Sequence, residues 1–231
     1  ESKWKPTNID RVKNINLGIK NDSLCRNKKV VMPDSELLND NCLNDIHTSN
    51  TYLNGAIVGF NNVYGDLYSL QFIEDANLEP KKNSNNNRVF KGSNGKLGNK
   101  DVGSKPNYGE TNDFKCPDGS GIYRIDTVYK NPIENKSGGI DGIKFYCRDI
   151  KTGKDVKIKN NKNEISHGIH FGLEPTKNIG GVHKYETVSC PPVVKNGKQV
   201  PSFISGYNSL SGSRINNLKI NKCSYYNKDD A

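Results

Sequence analysis

The sequence predicts an all-β protein of one domain, reinforced by disulfides and built on a threefold internal repeat. Three observations carry this expectation. Apolar residues come in short alternating clusters, one strand pattern recurs three times, and six cysteines stand far apart along the chain. Only 32% of the 231 residues are hydrophobic and the mean hydropathy is −0.79, a balance that approaches disordered chains. Here, however, the apolar residues gather in strand-length groups between runs of Asn, Lys, Gly and Ser, so the chain reads as thin strands joined by long polar loops. At this length a real core forms, and disulfides add to it rather than replace it.

The repeat is clearest in three two-part segments. Gly55-Ala-Ile57-Val-Gly59-Phe60 precedes Leu67-Tyr-Ser-Leu70-Gln-Phe72; Ser120-Gly-Ile122-Tyr-Arg124-Ile125 precedes Ile140-Asp-Gly-Ile143-Lys-Phe145-Tyr-Cys147; Ser202-Phe-Ile204-Ser-Gly206-Tyr207 precedes Ile215-Asn-Asn-Leu218-Lys-Ile220-Asn-Lys-Cys223. Each copy holds an Ile-x-x-(large apolar) strand, then (Ile/Leu)-x-x-(Ile/Leu)-x-(Phe/Ile), whose last part alternates at period two as a half-buried strand requires. Between the two parts lie Tyr64-Gly-Asp66, Lys136-Ser-Gly-Gly139 and Ser211-Gly-Ser213, all turn formers. Each copy is therefore expected to be a hairpin, with repeat one over about 42–108, repeat two over about 116–185, repeat three over about 190–226, and residues 1–41 as an N-terminal strap. The stretch from Lys81 to Lys105 reads as either a mobile loop or a pair of edge strands around Arg88-Val-Phe90, and Val156-Lys-Ile158 suits one short strand, followed by Ile169-His-Phe171. Asp34-Ser-Glu-Leu-Leu38 suits one helical turn.

Cysteine positions follow the repeats. Cys116 and Cys147 bracket the second copy, and Cys190 and Cys223 the third, so each pair is expected to be bridged. Glu74 stands where the first copy would close, which leaves Cys25 with Cys42. Six cysteines allow fifteen connectivities, and only the repeat ranks them. No CxxC pair suggests zinc or thiol redox chemistry. Widely spaced cysteines point to an oxidising, secreted setting, and the sequons Asn21-Asp-Ser23 and Asn135-Lys-Ser137 fit it. No stretch is apolar enough to cross a membrane as a helix. No signal peptide is visible, so the sequence reads as a mature chain or an excised domain.

A cysteine-bracketed unit of Ile-x-Gly-(aromatic) followed by Leu-x-x-Leu-x-(apolar)-x-Cys, repeated three times, resembles the vitelline membrane outer layer protein I group. The matching residues are Ile57, Gly59 and Phe60; Cys116, Ile122, Ile143, Phe145 and Cys147; and Cys190, Ile204, Gly206, Leu218 and Cys223. The resemblance implies a β-prism, three antiparallel sheets around a pseudo-threefold axis. This chain departs from that group in three ways: repeat one has no closing cysteine, tryptophan-rich segments are missing, and Cys223 falls one residue late relative to Cys147. The C-terminal domains of apicomplexan perforin-like proteins, which dock on lipid, look similar. A module from a secreted assembly such as a fungal cellulosome also suits the composition.

Charge and motifs narrow the function. With 34 basic and 25 acidic residues the net charge is +9, which favours anionic partners; the lysines are spread out, however, as on a solvated surface. Nucleic-acid signatures are missing. So are Gly-x-Ser-x-Gly, His-Glu-x-x-His and glycine-rich phosphate loops. His167 and His170 would point to opposite faces of a strand, and no metal or cofactor is expected. Carboxylates at Glu74, Asp75, Asp126, Glu134 and Asp141 suit salt bridging better than catalysis. Binding is easier to place. The hairpin loops bring together Tyr64, Asp66 and Tyr68; Tyr129, Asn131, Glu134 and Asp141; Tyr207, Asn208 and Arg214, and tyrosine stacks on sugars or anchors interfaces. Trp4 belongs with the strap. The expectation is a non-catalytic extracellular recognition module for a protein or glycan. An anionic-lipid-binding domain is the second reading and a carbohydrate-active enzyme the third.

Overall fold

Each copy of the repeat folds into a long antiparallel hairpin. In order these are β3 (Tyr52–Asn61) with β4 (Asp66–Asp75), β7 (Ser120–Lys130) with β8 (Gly139–Asp149), and β16 (Ser202–Ser211) with β17 (Ile215–Tyr226). The structure is a computed structural model that describes residues 4–6, 45–48, 52–61, 66–75, 88–90, 109–130, 139–160, 162–211 and 215–226. Cys25, Cys42, the stretch Asp34–Leu38 and the sequon residues Asn21 and Asn135 lie outside the described residues.

The spacing of the repeat encodes bulges. Leu67, Ile140 and Ile215 are three residues ahead of Leu70, Ile143 and Leu218, and the register skips Tyr68, Asp141 and Asn216 in that gap. One extra residue flips strand parity, so Leu67 and Leu70 are both buried, as are Ile140 and Ile143. The first strands use the same device: pairing skips Asn54, Tyr123 and Ser205, between Leu53/Gly55, Ile122/Arg124 and Ile204/Gly206.

This register corrects one expected equivalence. Leu53, not Ile57, corresponds to Ile122 and Ile204, because Leu53 pairs with Glu74 as Ile122 pairs with Cys147 and Ile204 with Cys223. Ala56 then stands where Ile125 and Tyr207 stand, and a search for a large apolar residue passes over alanine. Ile57 is only half-buried, between the buried Ala56 and Val58. The late position of Cys223 has a local cause: a further shift at Gly206/Tyr207 leaves Asn221 unpaired in β17.

A cyclic exchange of strands joins the hairpins. The strand ahead of each hairpin pairs with the first strand of the hairpin before it: β6 (Gly109–Lys115) on β3, β13 (His183–Ser189) on β7, and β2 (Asp45–Thr48) on β16. An outer strand covers each second strand: β5 (Arg88–Phe90) on β4, β12 (Gly168–Gly172) on β8, and β1 (Trp4–Pro6) on β17. The result is a β-prism of three antiparallel sheets with a pseudo-threefold repeat. The expected single strand at Val156–Ile158 is two. Here β9 (Asp155–Val156) pairs with β8, whereas β10 (Ile158–Asn160) pairs with β6 and β11 (Ile165–Ser166), so Lys157 crosses from one sheet to the next. Finally, β14 (Val193–Lys195) and β15 (Lys198–Val200) form a small separate hairpin.

The three sheets enclose one core. Phe72, Phe145 and Ile220 hold equivalent positions, and all three are fully buried. Phe72 meets Phe145 edge-on at 6.1 Å and Tyr207 at 4.7 Å. Ala56, directly across from Phe72, is small where Tyr207 is large, an exchange of volume across the axis that keeps the interior filled. Disulfides join Cys116 to Cys147 and Cys190 to Cys223, as the bracketing predicts.

Candidate functional site

The two described disulfides lie towards the far ends of the second strands, at Cys147 near the end of β8 and Cys223 near the end of β17. Sequence reasoning places the ligand at the tips. Tyr129 and Tyr207 are both buried in the core, and Tyr207 is only 2% exposed. The bulge that aligns the inner face turns these rings inward. Asp141, also expected at the ligand, is the bulged residue of β8 and is buried. Its Oδ2 takes His183 Nε2 at 3.0 Å and Lys130 Nζ at 3.3 Å, so it binds strand to strand. Asp66, Tyr68 and Asn208 lie on β4 and β16 by backbone. Tyr64, Asn131, Glu134 and Arg214 lie outside the described residues. Asp126, a carboxylate of interest for acid-base work, is held by Arg124 at 2.9 Å through both oxygens and accepts a hydrogen bond from Thr187.

A cleft of about 470 Å³ opens by the end of β17, within the range of small-ligand sites. Ile150, which lines the cleft, belongs to a second, smaller core with Tyr52 and Phe203, and Tyr123 and Tyr226 pack against it. Gly121 makes this small core possible: a Cβ there would stand 2.5 Å from a ring carbon of Tyr52 and 3.0 Å from Phe203. Tyr225 and Tyr226, which close β17, form one wall, and the β14–β15 hairpin forms the other.

That hairpin is shaped by its turn. Asn196 and Gly197 have φ of 50° and 73°, the left-handed pair that a two-residue hairpin turn demands and that Asn-Gly supplies at least cost. The turn places Lys195 and Lys198 directly across from each other, with Asn196 and Gln199 beside them on the cleft. The Lys195 ammonium stands 5.2 Å from the centre of the Tyr225 ring. From the turn after β8, Lys151 reaches the same space.

The neck of this excursion is clamped from below. Ser202 Oγ donates to the Pro191 carbonyl at 2.5 Å. Arg148 donates to the carbonyls of Cys190 at 3.0 Å and Ser202 at 2.6 Å. Its guanidinium stacks 4.5 Å from the Tyr123 ring centre and 5.5 Å from that of Phe203. Burial lowers the Arg148 pKa, yet a guanidinium stays charged at any physiological pH, so the clamp is permanent. Burial, and then a hydrogen bond to the Asp155 carboxylate, push the Tyr123 hydroxyl up to about 12.

The cleft residues were legible only in part. Asn196-Gly197 between Val193-Val194 and Val200 is a hairpin signal, but Tyr225 and Tyr226 come from the far end of β17, and no local pattern links them to that turn.

No protein-family model and no curated protein matches the chain. Among solved structures, it is similar to frutapin, a lectin from Artocarpus incisa, at 10% identity over 77% of this chain and 87% of that one, with a TM-score of 0.42. It is likewise similar to Calsepa lectin in complex with a biantennary N-glycan (12%, 77% and 86%, TM-score 0.46) and to artocarpin complexed with methyl-α-mannose (13%, 77% and 87%, TM-score 0.41). At such values the functional reading is left to this chain's own side chains.

Proposed function

We propose that this chain is a secreted, non-catalytic recognition module of the vitelline membrane outer layer protein I kind, and that it holds a glycan in the cleft between the β14–β15 hairpin and the end of β17. The observation that carries the reading is the convergence of the half-buried Tyr226, the Asn196 and Gln199 amides and three lysines on one concave space. Sugars present apolar C–H faces and a rim of hydroxyls, which tyrosine rings and amide side chains complement. A cleft of this volume suits a few sugar units, whereas a stable protein partner needs roughly 800 Å² on each side. The two disulfides support an oxidising compartment.

The test is a glycan array probed with the full chain, followed by titration of the best hit against Gln199→Ala. Gln199 is exposed and carries no core contact, so the variant should fold normally. Loss of one or two neutral hydrogen bonds weakens binding about 3- to 10-fold. Unchanged affinity would place the glycan elsewhere and defeat the reading.

A further inference from the structure

We propose that Asn196 is a site of spontaneous covalent modification, where the turn of the β14–β15 hairpin converts its own asparagine to aspartate and isoaspartate. Asparagine is a thermolabile residue, most of all ahead of glycine, which carries no side chain to block the approach of its amide nitrogen. The described residues hold two such pairs, Asn54-Gly55 and Asn196-Gly197, whereas Asn94-Gly95 lies outside them. The fold treats the two differently. Asn54 is 2% exposed on β3, and its carbonyl accepts the Cys116 amide at 2.7 Å. Gly55 pairs with Ile73 on one side and Lys115 on the other, so this backbone is fixed and shielded from water. Asn196, by contrast, is exposed at a corner with φ of 50°, and Gly197 follows with 73°. A Cβ at Gly197 would meet no described atom within 4 Å.

In a two-residue hairpin turn the ladder hydrogen bond joins the residues that flank the corner, here Lys195 and Lys198, and leaves the amide of the second corner residue outside it. That amide belongs to Gly197. Once it gives its proton to hydroxide, its nitrogen is a nucleophile that can close a five-membered ring on Cγ of Asn196. The nitrogen's electron pair forms a bond to Cγ, and the bond from Cγ to the side-chain nitrogen breaks. That nitrogen takes a proton from water and leaves as ammonia. Water then opens the cyclic imide. Opening at Cγ yields aspartate, and opening at the backbone carbonyl yields isoaspartate, with the chain now running through the side chain. No oxidant or reductant takes part. Among the described residues β14 and β15 pair only with each other. A two-stranded hairpin is marginal alone, so the corner opens readily to the ring geometry. The consequence falls on the cleft, which Asn196 lines. Either product sets a carboxylate there, charged at neutral pH, and isoaspartate also lengthens the corner by one methylene between the paired Lys195 and Lys198. An aged molecule thus presents a different cleft from a fresh one. The chemistry needs no ligand, so it stands apart from the glycan reading.

The experiment incubates the full chain in warm, mildly alkaline buffer, once folded and once in guanidinium. Mass spectrometry follows the chymotryptic peptides that carry Asn54 and Asn196, and enzymatic methylation counts isoaspartate. In the folded chain the Asn196 peptide should exchange its amide for an acid at least about tenfold faster than the Asn54 peptide, with isoaspartate among the products. In guanidinium the two should convert at similar rates, because only the fold separates them. Asn196→Gln should abolish the exchange at this position, since glutamine has to close a larger ring. Equal rates at the two sites in the folded chain would overturn the proposal by removing the role of the fold. So would an Asn196 that converts in guanidinium but stays intact when folded, which would mean that the turn protects it. Aspartate without isoaspartate would also overturn it, in favour of direct hydrolysis of the side chain without the imide.

Discussion

Arg148 shows how much one side chain organises. It crosses from the second sheet to the base of the third hairpin and donates to the carbonyls of Cys190 and Ser202. Arg148→Met keeps the stem and loses both charged hydrogen bonds, so unfolding in urea should show a loss of about 2–4 kcal/mol. Tyr207 illustrates the opposite lesson. Expected at a ligand, it fills the core beside Phe72; Tyr207→Ala should cost about 3–5 kcal/mol, as large-to-small core changes do, and any binding defect should track unfolding. Tyr123 sets an alkaline limit. Its folded pKa is raised from the ordinary 10 to about 12, so the folded state keeps a proton that the unfolded state releases. Its contribution is complete below pH 10 and fades as pH rises towards 12. Tyr123→Phe should flatten that part of the stability profile, which denaturation between pH 9 and 12 would measure.

Among elements, the hairpin of β14 and β15 is an excursion tied down at its neck. The Cys190–Cys223 bridge, with a separation of 33 residues, ties that neck to β17, where the cleft tyrosines sit. Replacing both cysteines by alanine should cost about 3–4 kcal/mol on the loop-entropy account and lower Tm by about 6–16 °C for a domain of this size. Calorimetry checks this, and a cleft that loosens should lose glycan affinity below the new Tm as well. The second strands were legible because their three-then-two spacing carries both a bulge and an alternation. Repeat one's first strand was misaligned by four residues because Ala56 stands where its counterparts are large, and no local pattern tells that Tyr207 supplies the missing volume from another sheet.

For the molecule as a whole, closure depends on the exchange of strands. β2 lies ahead of the first hairpin and docks on the last, and β1 pairs with the end of β17, Trp4 opposite Tyr226 and Lys5 opposite Tyr225. The chain's beginning thus braces the cleft wall at its other end. Deleting residues 1–8 should leave the prism folded, since β1 is an edge strand of three residues. It should speed amide exchange at Ser224–Tyr226 and weaken cleft binding; unchanged exchange there would show that the brace is idle.

By itself the sequence determined the strand content, the threefold repeat and the two disulfides within it, because alternation, bulge spacing and cysteine placement are local and recur in order. Only the tertiary structure decided which hairpin accepts which neighbouring strand, which tyrosines face the core, and where a cleft opens. Those depend on residues more than a hundred positions apart meeting through non-local pairing: Tyr123 and Arg148 come from one sheet, Lys195 from an excursion and Tyr226 from the end of another sheet. No pattern along a single strand records such a meeting.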